Sequence, residues 1–331
     1  MRDSMFILCK QNNVSVERLH ICTWDIEGDK HFTEYGLEIN RSILPRLDMA
    51  LSIPQLSNLK NIRCLYKNVS DPVNCRFIFN SDIDKITHIN GNPEFGANVS
   101  LKKDRQIAIL PLEGYLEIKD GLLMVNLEIP KQAGPIIYVR FLVKSNTPSF
   151  SHTKNGISKK TISYDVRVNE CRTASTEVNT AQKKGYVIMS INKCFCFHII
   201  PSTYNVDFVD SVKLKTIRGL EDVGFNTYLG DIKSQENIQL KANEYNIVFC
   251  KHEKSSNYSF FSIYSKEFIG NTQVSFALAA NLICSLLFAF GGLRMSDKPV
   301  SQHYWELIPI EYWIAIVVLI FLIVYLLCRR K

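Results

Sequence analysis

Apolar and polar positions follow two regimes along this chain. Through residue 270 they alternate in short period-2 runs, and beyond it they give way to unbroken apolar stretches. In YLEIKDGLLMVNLEIP, Leu116 and Ile118 alternate with Tyr115, Glu117 and Lys119. Asp120-Gly121 supplies a two-residue turn, and Leu123, Val125, Leu127 and Ile129 resume the apolar face. That pattern predicts a β-hairpin. IIYVRFLVK turns Ile137, Val139, Phe141 and Val143 to one side, and TISYDVRVN does the same with Ile162, Tyr164, Val166 and Val168. Further strands are expected within 5–9, 19–24, 62–66, 76–79, 106–110, 186–191, 194–200, 245–250 and 258–265, and helices only within 41–51 and 206–220. Many short strands separated by turn residues predict a mainly β, sandwich- or barrel-like region. Its expected parts are a β-rich unit over 1–172, a polar linker or long loop over 173–184, and a second β-rich unit with a short helix over 185–270.

Residues 271–331 break the alternation. Residues 272–293, TQVSFALAANLICSLLFAFGGL, contain no charge, and neither do residues 312–328, YWIAIVVLIFLIVYLLC. A helix needs about 20 apolar residues to cross the hydrocarbon of a bilayer, so the pair predicts a two-helix transmembrane hairpin. Tyr304, Trp305, Tyr312 and Trp313 gather where an aromatic belt would sit. Arg329, Arg330 and Lys331 outweigh Arg294 and Lys298 of the connecting loop, which orients residues 1–270 and the C-terminus toward the cytoplasm. The first leg is rich in small and polar residues, among them Asn281, Ser285, Gly291 and Gly292, a composition that lets helices approach closely and hydrogen-bond in lipid.

Charge narrows the partners. With 39 Lys and Arg against 32 Asp and Glu the formal net charge is +7, compatible with anionic headgroups but short of a nucleic-acid footprint. The opening MRDSMFILCKQNN has an apolar run only from Met5 to Cys9, too short for a signal h-region. The ten cysteines show no CxxC spacing, as expected of free thiols in a reducing compartment. The expected location is therefore integral to a membrane, a bacterial inner membrane, with the β region in the cytosol.

Candidate chemistry is sparse: GxSxG, GxxxxGK, GxGxxG and HExxH are all absent. KCFCFH puts Cys194, Cys196 and His198 on one face of a strand, and FCKH does so for Cys250 and His252. Two such strands could offer sulfur and nitrogen ligands to zinc; the competing reading, core cysteines, needs no cofactor. Tyr138, Arg140 and Arg167 form a second set, able to grip an anionic small ligand if their strands pair, or else to make ion pairs on a solvated face.

These features predict a non-enzymatic sensor and effector. A cytosolic β-rich domain would bind a ligand or protein partner, and the hairpin would then assemble as a homo-oligomer in the lipid bilayer or perturb it, in the manner of bacterial defence or stress-response effectors. A passive membrane-tethered scaffold and a membrane-attached hydrolase are the alternatives.

Overall fold

A computed structural model describes residues 4–26, 31–54, 56, 58–102, 105–156, 159–210, 212–236, 241, 243–253, 255, 257–267, 271–296, 310, 313, 314, 316, 317 and 320. Strands β1 (Phe6–Cys9), β2 (Ser15–Asp25), β3 (His31–Asn40), β4 (Arg46–Ser52) and β5 (Ile62–Cys64) lead into helices α1 (Tyr66–Ser70) and α2 (Pro72–Phe79). Eight strands follow: β6 (Ile83–His88), β7 (Ala97–Leu101), β8 (Arg105–Ile109), β9 (Leu116–Lys119), β10 (Leu122–Glu128), β11 (Ile136–Ser145), β12 (Ser151–Asn155) and β13 (Lys159–Val168). After helix α3 (Thr176–Lys183) come β14 (Val187–Ile188), β15 (Lys193–Pro201), β16 (Asn205–Val209) and β17 (Leu214–Gly219). Helices α4 (Asp222–Leu229) and α5 (Asp231–Glu236), strands β18 (Tyr245–Glu253) and β19 (Tyr258–Glu267), and helix α6 (Asn271–Ser296) complete the order. The protein is mainly β.

Contacts divide the chain into two compact units, one of Met1–His152 with Ser163–Tyr264 and the other of Thr153–Ile162 with Ser265–Lys331. The central sheet runs β17-β18-β15-β2-β3-β11-β8-β7-β6, with β5 also on β11. Smaller sheets run β14-β1-β4-β10-β9 and β12-β13-β19-β16.

Within the first unit both faces of the central sheet are covered, and β2 shows how. Its Cys22 and Trp24 join Phe32, Leu142 and Ile199 in a core with Leu65, Val69, Cys75, Phe225 and Tyr228 of the helical segments. Trp24 meets the Phe225 ring edge-on at 5.1 Å, and Phe225 meets Phe77 at 4.6 Å. On the opposite face the Thr23 hydroxyl lies 2.9 Å from that of Tyr164, on β13. A sheet covered twice needs apolar residues at successive positions rather than a clean alternation.

The β9–β10 hairpin forms as the sequence predicts, with Asp120 and Gly121 at φ 50° and 70° in the left-handed turn that such hairpins favour. Three local expectations are corrected. Residues 76–79 belong to helix α2 rather than a strand: the Asp71 side chain accepts from the Val73 and Asn74 amides, Pro72 opens the helix, and Asn80 ends it at φ 46°. Residues 41–51 are not helical, because Pro45 interrupts them and β4 pairs with both β1 and β10. Residues 206–220 hold β16 and β17, and β17 pairs with β18 across a bulge between Leu214 and Thr216.

In the second unit α6 is a 26-residue helix. Among the described residues no helix is long and apolar enough to cross a membrane; the side chains of 271–273, 275, 276 and 293–296 fall outside that description. From 277 to 292 only Gly291 is buried, and large apolar side chains stand exposed on several sides, Leu278 at 64%, Leu282 at 63%, Ile283 at 52% and Phe290 at 59%. Residues 310, 313, 314, 316, 317 and 320 are also helical, with Ile310, Trp313 and Val317 exposed. Tyr304, Trp305, Tyr312, Arg329, Arg330 and Lys331 lie outside the described residues.

Candidate functional site

Arg140 and Tyr138 do not face solvent. Both point from β11 into the helical side of the central sheet, where Arg140 is 7% exposed and Tyr138 0%. Arg140 donates through Nε at 2.8 Å and Nη2 at 2.6 Å to Oε2 of Glu34 on β3. Trp24 Nε1 donates to Glu34 Oε1 at 3.0 Å, and the Tyr228 hydroxyl donates to Oε2 at 2.8 Å. The guanidinium also lies over the Tyr228 ring, 5.6 Å from its centroid. Every group in this network is matched, as a buried ion pair requires.

Tyr138 Oη accepts from Arg140 Nη1 at 3.0 Å and shares a second hydrogen bond, also 3.0 Å, with Nδ1 of buried His20. Burial, reinforced by the charge of Arg140, holds the His20 pKa well below the ordinary value. Burial opposes the charge on Arg140, yet Tyr138, Tyr228 and Glu34 keep it firmly protonated. Gly36 on β3 makes room: a Cβ there would lie 2.3 Å from Tyr138 Oη. The network is a folding device, and sequence reasoning missed Glu34, His20 and Tyr228 because the Glu34–Arg140, His20–Tyr138 and Tyr228–Glu34 contacts span 106 or more positions along the chain.

Arg167 is elsewhere, on the outer face of β13, so the expected trio of Tyr138, Arg140 and Arg167 is not assembled. Arg167 forms a fork with Asp165, Nε to Oδ1 at 3.2 Å and Nη2 to Oδ2 at 2.5 Å. The two line a cleft of about 250 Å³ together with Ser149, Phe150 and His152. Pairing of the two segments builds it: the Asp165 amide donates to the Phe150 carbonyl at 2.9 Å. Phe150 is buried with its ring edge-on to Tyr164, whereas His152 is exposed and Arg167 and Asp165 are 35% and 25% exposed in their side chains. This is the candidate ligand site.

The cysteine and histidine set is partly drawn together. Antiparallel register puts Cys194 opposite His252 and Cys196 opposite Cys250, and all four line a void of about 10 Å³ with Lys213 and Tyr258. The Cys194 and Cys196 sulfurs are 3.8 Å apart. Among the described residues no three His, Cys, Asp or Glu side chains are arranged to hold a metal ion. The thiol of Cys196 is driven up by Cys194 and by burial, and that of Cys250 is pushed by burial to about 12. Such thiols are inert. His198 is committed elsewhere: Nε2 lies 2.8 Å from Asp25 Oδ2, and its ring stacks on Tyr164 at 3.9 Å. Ser151 Oγ donates to the same carboxylate oxygen at 2.7 Å. The hydrogen bonds from His198 and Ser151, with His31 Nδ1 3.5 Å from the other carboxylate oxygen, hold the Asp25 carboxyl well below the carboxylate range despite burial.

On α6, Ser285 Oγ donates back to the Asn281 carbonyl at 2.8 Å, the two side chains are exposed, Gly291 is buried and Gly292 meets nothing within 4 Å on its Cβ side.

No family model matches this chain, and no curated protein is similar to it. Among solved structures it aligns with a chain of the homology model of the full-length AP-3 complex in an intermediate open conformation, at 7% identity over 82% of this chain and 54% of that one, with a TM-score of 0.21. The chain thus spans about half the length of that match. A Capitella teleta AChBP in complex with lobeline aligns at 5% identity over 81% of this chain and 86% of that one, with a TM-score of 0.11.

Proposed function

We propose that this protein is a membrane-anchored, β-rich sensor and effector: the first unit binds a small ligand or a protein partner, and residues 271–331 form a transmembrane hairpin that assembles with copies of itself. The exposed apolar surface of α6 carries this reading. Val274, Leu278, Leu282, Ile283, Leu286, Phe288 and Phe290 are all about half exposed or more, and full burial of such a side chain is worth about 1.5–3 kcal/mol relative to exposure in water. A helix apolar on all sides is stable only in a protein core or in lipid, and no described side chain of 277–292 other than Gly291 is buried. The charge-free length of 272–293 matches a single crossing. Within lipid, the Asn281 amide gains most from a partner on another helix. Residues 1–270 and the C-terminus belong on the cytoplasmic side in this reading, by the Lys and Arg bias around the two legs.

Alkaline carbonate extraction of membranes expressing the full chain tests the anchor. Retention in the pellet is expected, and release of the intact protein into the supernatant would end the membrane reading. Dye leakage from proteoliposomes then tests assembly: Asn281→Leu should abolish leakage without loss of insertion, and undiminished leakage would leave the chain a passive tether.

A further inference from the structure

Cys194, Cys196, Cys250 and His252 line one void of about 10 Å³, together with Lys213. That is about the smallest space that admits one water molecule, so it suits a single atom rather than an organic ligand. The four donors stand at the corners of a rectangle. Cys194 and Cys196 share one face of β15, and the antiparallel register sets His252 and Cys250 opposite them on β18. Nδ1 of His252 is buried without a hydrogen-bond partner, a state that buried nitrogens avoid unless a water or an ion is to occupy them. We infer that this set binds one soft, thiophilic metal ion of the copper(I) class, with the Cys194 and Cys196 sulfurs as its first two ligands and one donor from β18 as its third.

The separation of the two β15 sulfurs, 3.8 Å, sets the coordination. A metal–thiolate bond is about 2.3 Å, so an ion bonded to both sees them at about 110–120° and not in line. That angle leaves the ion open toward a third donor, and Cys250 and His252 share the void with it. Zinc requires four donors in a tetrahedron, and among the described residues no three His, Cys, Asp or Glu side chains are arranged to hold an ion. Copper(I) forms stable complexes with two or three soft donors, and thiolates select it. The third bond is then made by rotation of one β18 side chain. Without metal, Cys194 and burial raise the Cys196 thiol and burial raises that of Cys250, while the Lys213 charge works the other way. Such thiols stay protonated and inert toward electrophiles, but a coordinated thiol gives up its proton outright. Loading therefore replaces each ligating S–H bond by an S–Cu bond and releases one proton per thiol to solvent. No electron moves, because copper enters and remains as copper(I). Two thiolates around a monovalent ion leave one net negative charge, which Lys213 on the wall of the void offsets.

The test uses the detergent-solubilised full chain, reduced and kept free of oxygen, with copper(I) as the titrant and the chelator ferrozine as competitor. One ion per chain is expected, with a thiolate-to-copper charge-transfer absorption in the ultraviolet. Partners outside the ligand sphere are themselves worth about 10–100-fold in metal affinity, so Cys194→Ser and Cys196→Ser should each cost about 100-fold or more. One of Cys250→Ser and His252→Gln should cost about 10-fold. Replacing exposed Cys171, which does not line the void, by serine should change nothing. Should a β15 variant fail to fold, X-ray absorption of the loaded parent chain reads the site instead, with two or three sulfur neighbours at about 2.2–2.3 Å expected. Failure of copper(I) to bind against ferrozine, a copper shell of oxygen and nitrogen alone, or affinity indifferent to both β15 variants overturns the inference. Displacement of copper(I) by equimolar zinc overturns it as well. All four donors belong to the first unit, so the outcome does not depend on membrane insertion, which the carbonate extraction decides separately.

Discussion

Replacing Arg140 by methionine is the sharpest test of how the first unit is held together. Methionine keeps most of the volume on β11 but strips Glu34 of the two guanidinium bonds at 2.8 and 2.6 Å, leaving only Trp24 and Tyr228 as donors to a carboxylate that is 0% exposed. Breaking a buried pair from one side typically costs about 3–5 kcal/mol, because the surviving charge is left uncompensated. Against a typical total stability of about 5–15 kcal/mol, that is a third or more of the margin. Glu34→Gln with Arg140→Met removes both charges and should lie within about 1–2 kcal/mol of the parent, since neutral replacement of a whole buried pair is often tolerated. Equilibrium urea unfolding of the full chain in detergent, followed by the fluorescence of buried Trp24, reads both variants. A loss below about 1 kcal/mol for the single variant, or a double variant no better than the single one, would show that the pair is not what secures β3 to β11.

Other outcomes follow from the same contacts. His20 is neutral when folded and its pKa is lowered, so its contribution is complete above the unfolded value of about 6.5 and is lost as pH falls toward the folded one; stability should drop by about 2 kcal/mol from pH 7 to 5 and His20→Gln should flatten that drop in matched urea titrations. Gly36→Ala drives a methyl into Tyr138 Oη and should cost about 1–3 kcal/mol, visible as a lowered Tm; an unchanged Tm would mean the ring has room to shift. Among the cysteines of the first unit, maleimide should label exposed Cys171 quickly and Cys194, Cys196 and Cys250 only after unfolding, as mass spectrometry of peptides would show; fast labelling of the buried three would contradict the raised thiols.

Much of the β architecture is legible in the sequence wherever one strand face is apolar and a turn carries its own chemistry. The Asp120-Gly121 hairpin is such a place, and β13 is another, with Ile162, Tyr164, Val166 and Val168 buried along one face. Legibility fails where partners are remote. Strand β3 places Glu34 and Glu38 in buried positions, which destroys its apolar pattern, and Arg140 opposite Glu34 with Arg105 and Arg18 beside Glu38 explain why those carboxylates are tolerated. The same remoteness sent Arg140 to the wrong face, since an arginine at a polar-looking position reads as solvated until Glu34 is known to lie opposite. For residues 76–79 a short apolar run outweighed the Asp71-Pro72 start signal just upstream, which local chemistry alone would have revealed. The cleft was half visible: Arg167 and Asp165 stand in the sequence as neighbours, whereas Ser149 and His152 join them only through strand pairing.

Strand β2 pairs in parallel with β15, Trp24 lying beside Ile199. On a ribosome adding roughly 5–20 residues per second, the second of these partners emerges on the order of ten to thirty seconds after the first. Throughout that interval the β2–β3 ribbon has one edge open, with Ile21, Cys22 and Trp24 uncovered until the later segments are made. Strand β19 ends at Glu267, only a few residues ahead of α6 at Asn271, so closure of the β unit and delivery of the apolar helix fall almost together in the life of each molecule.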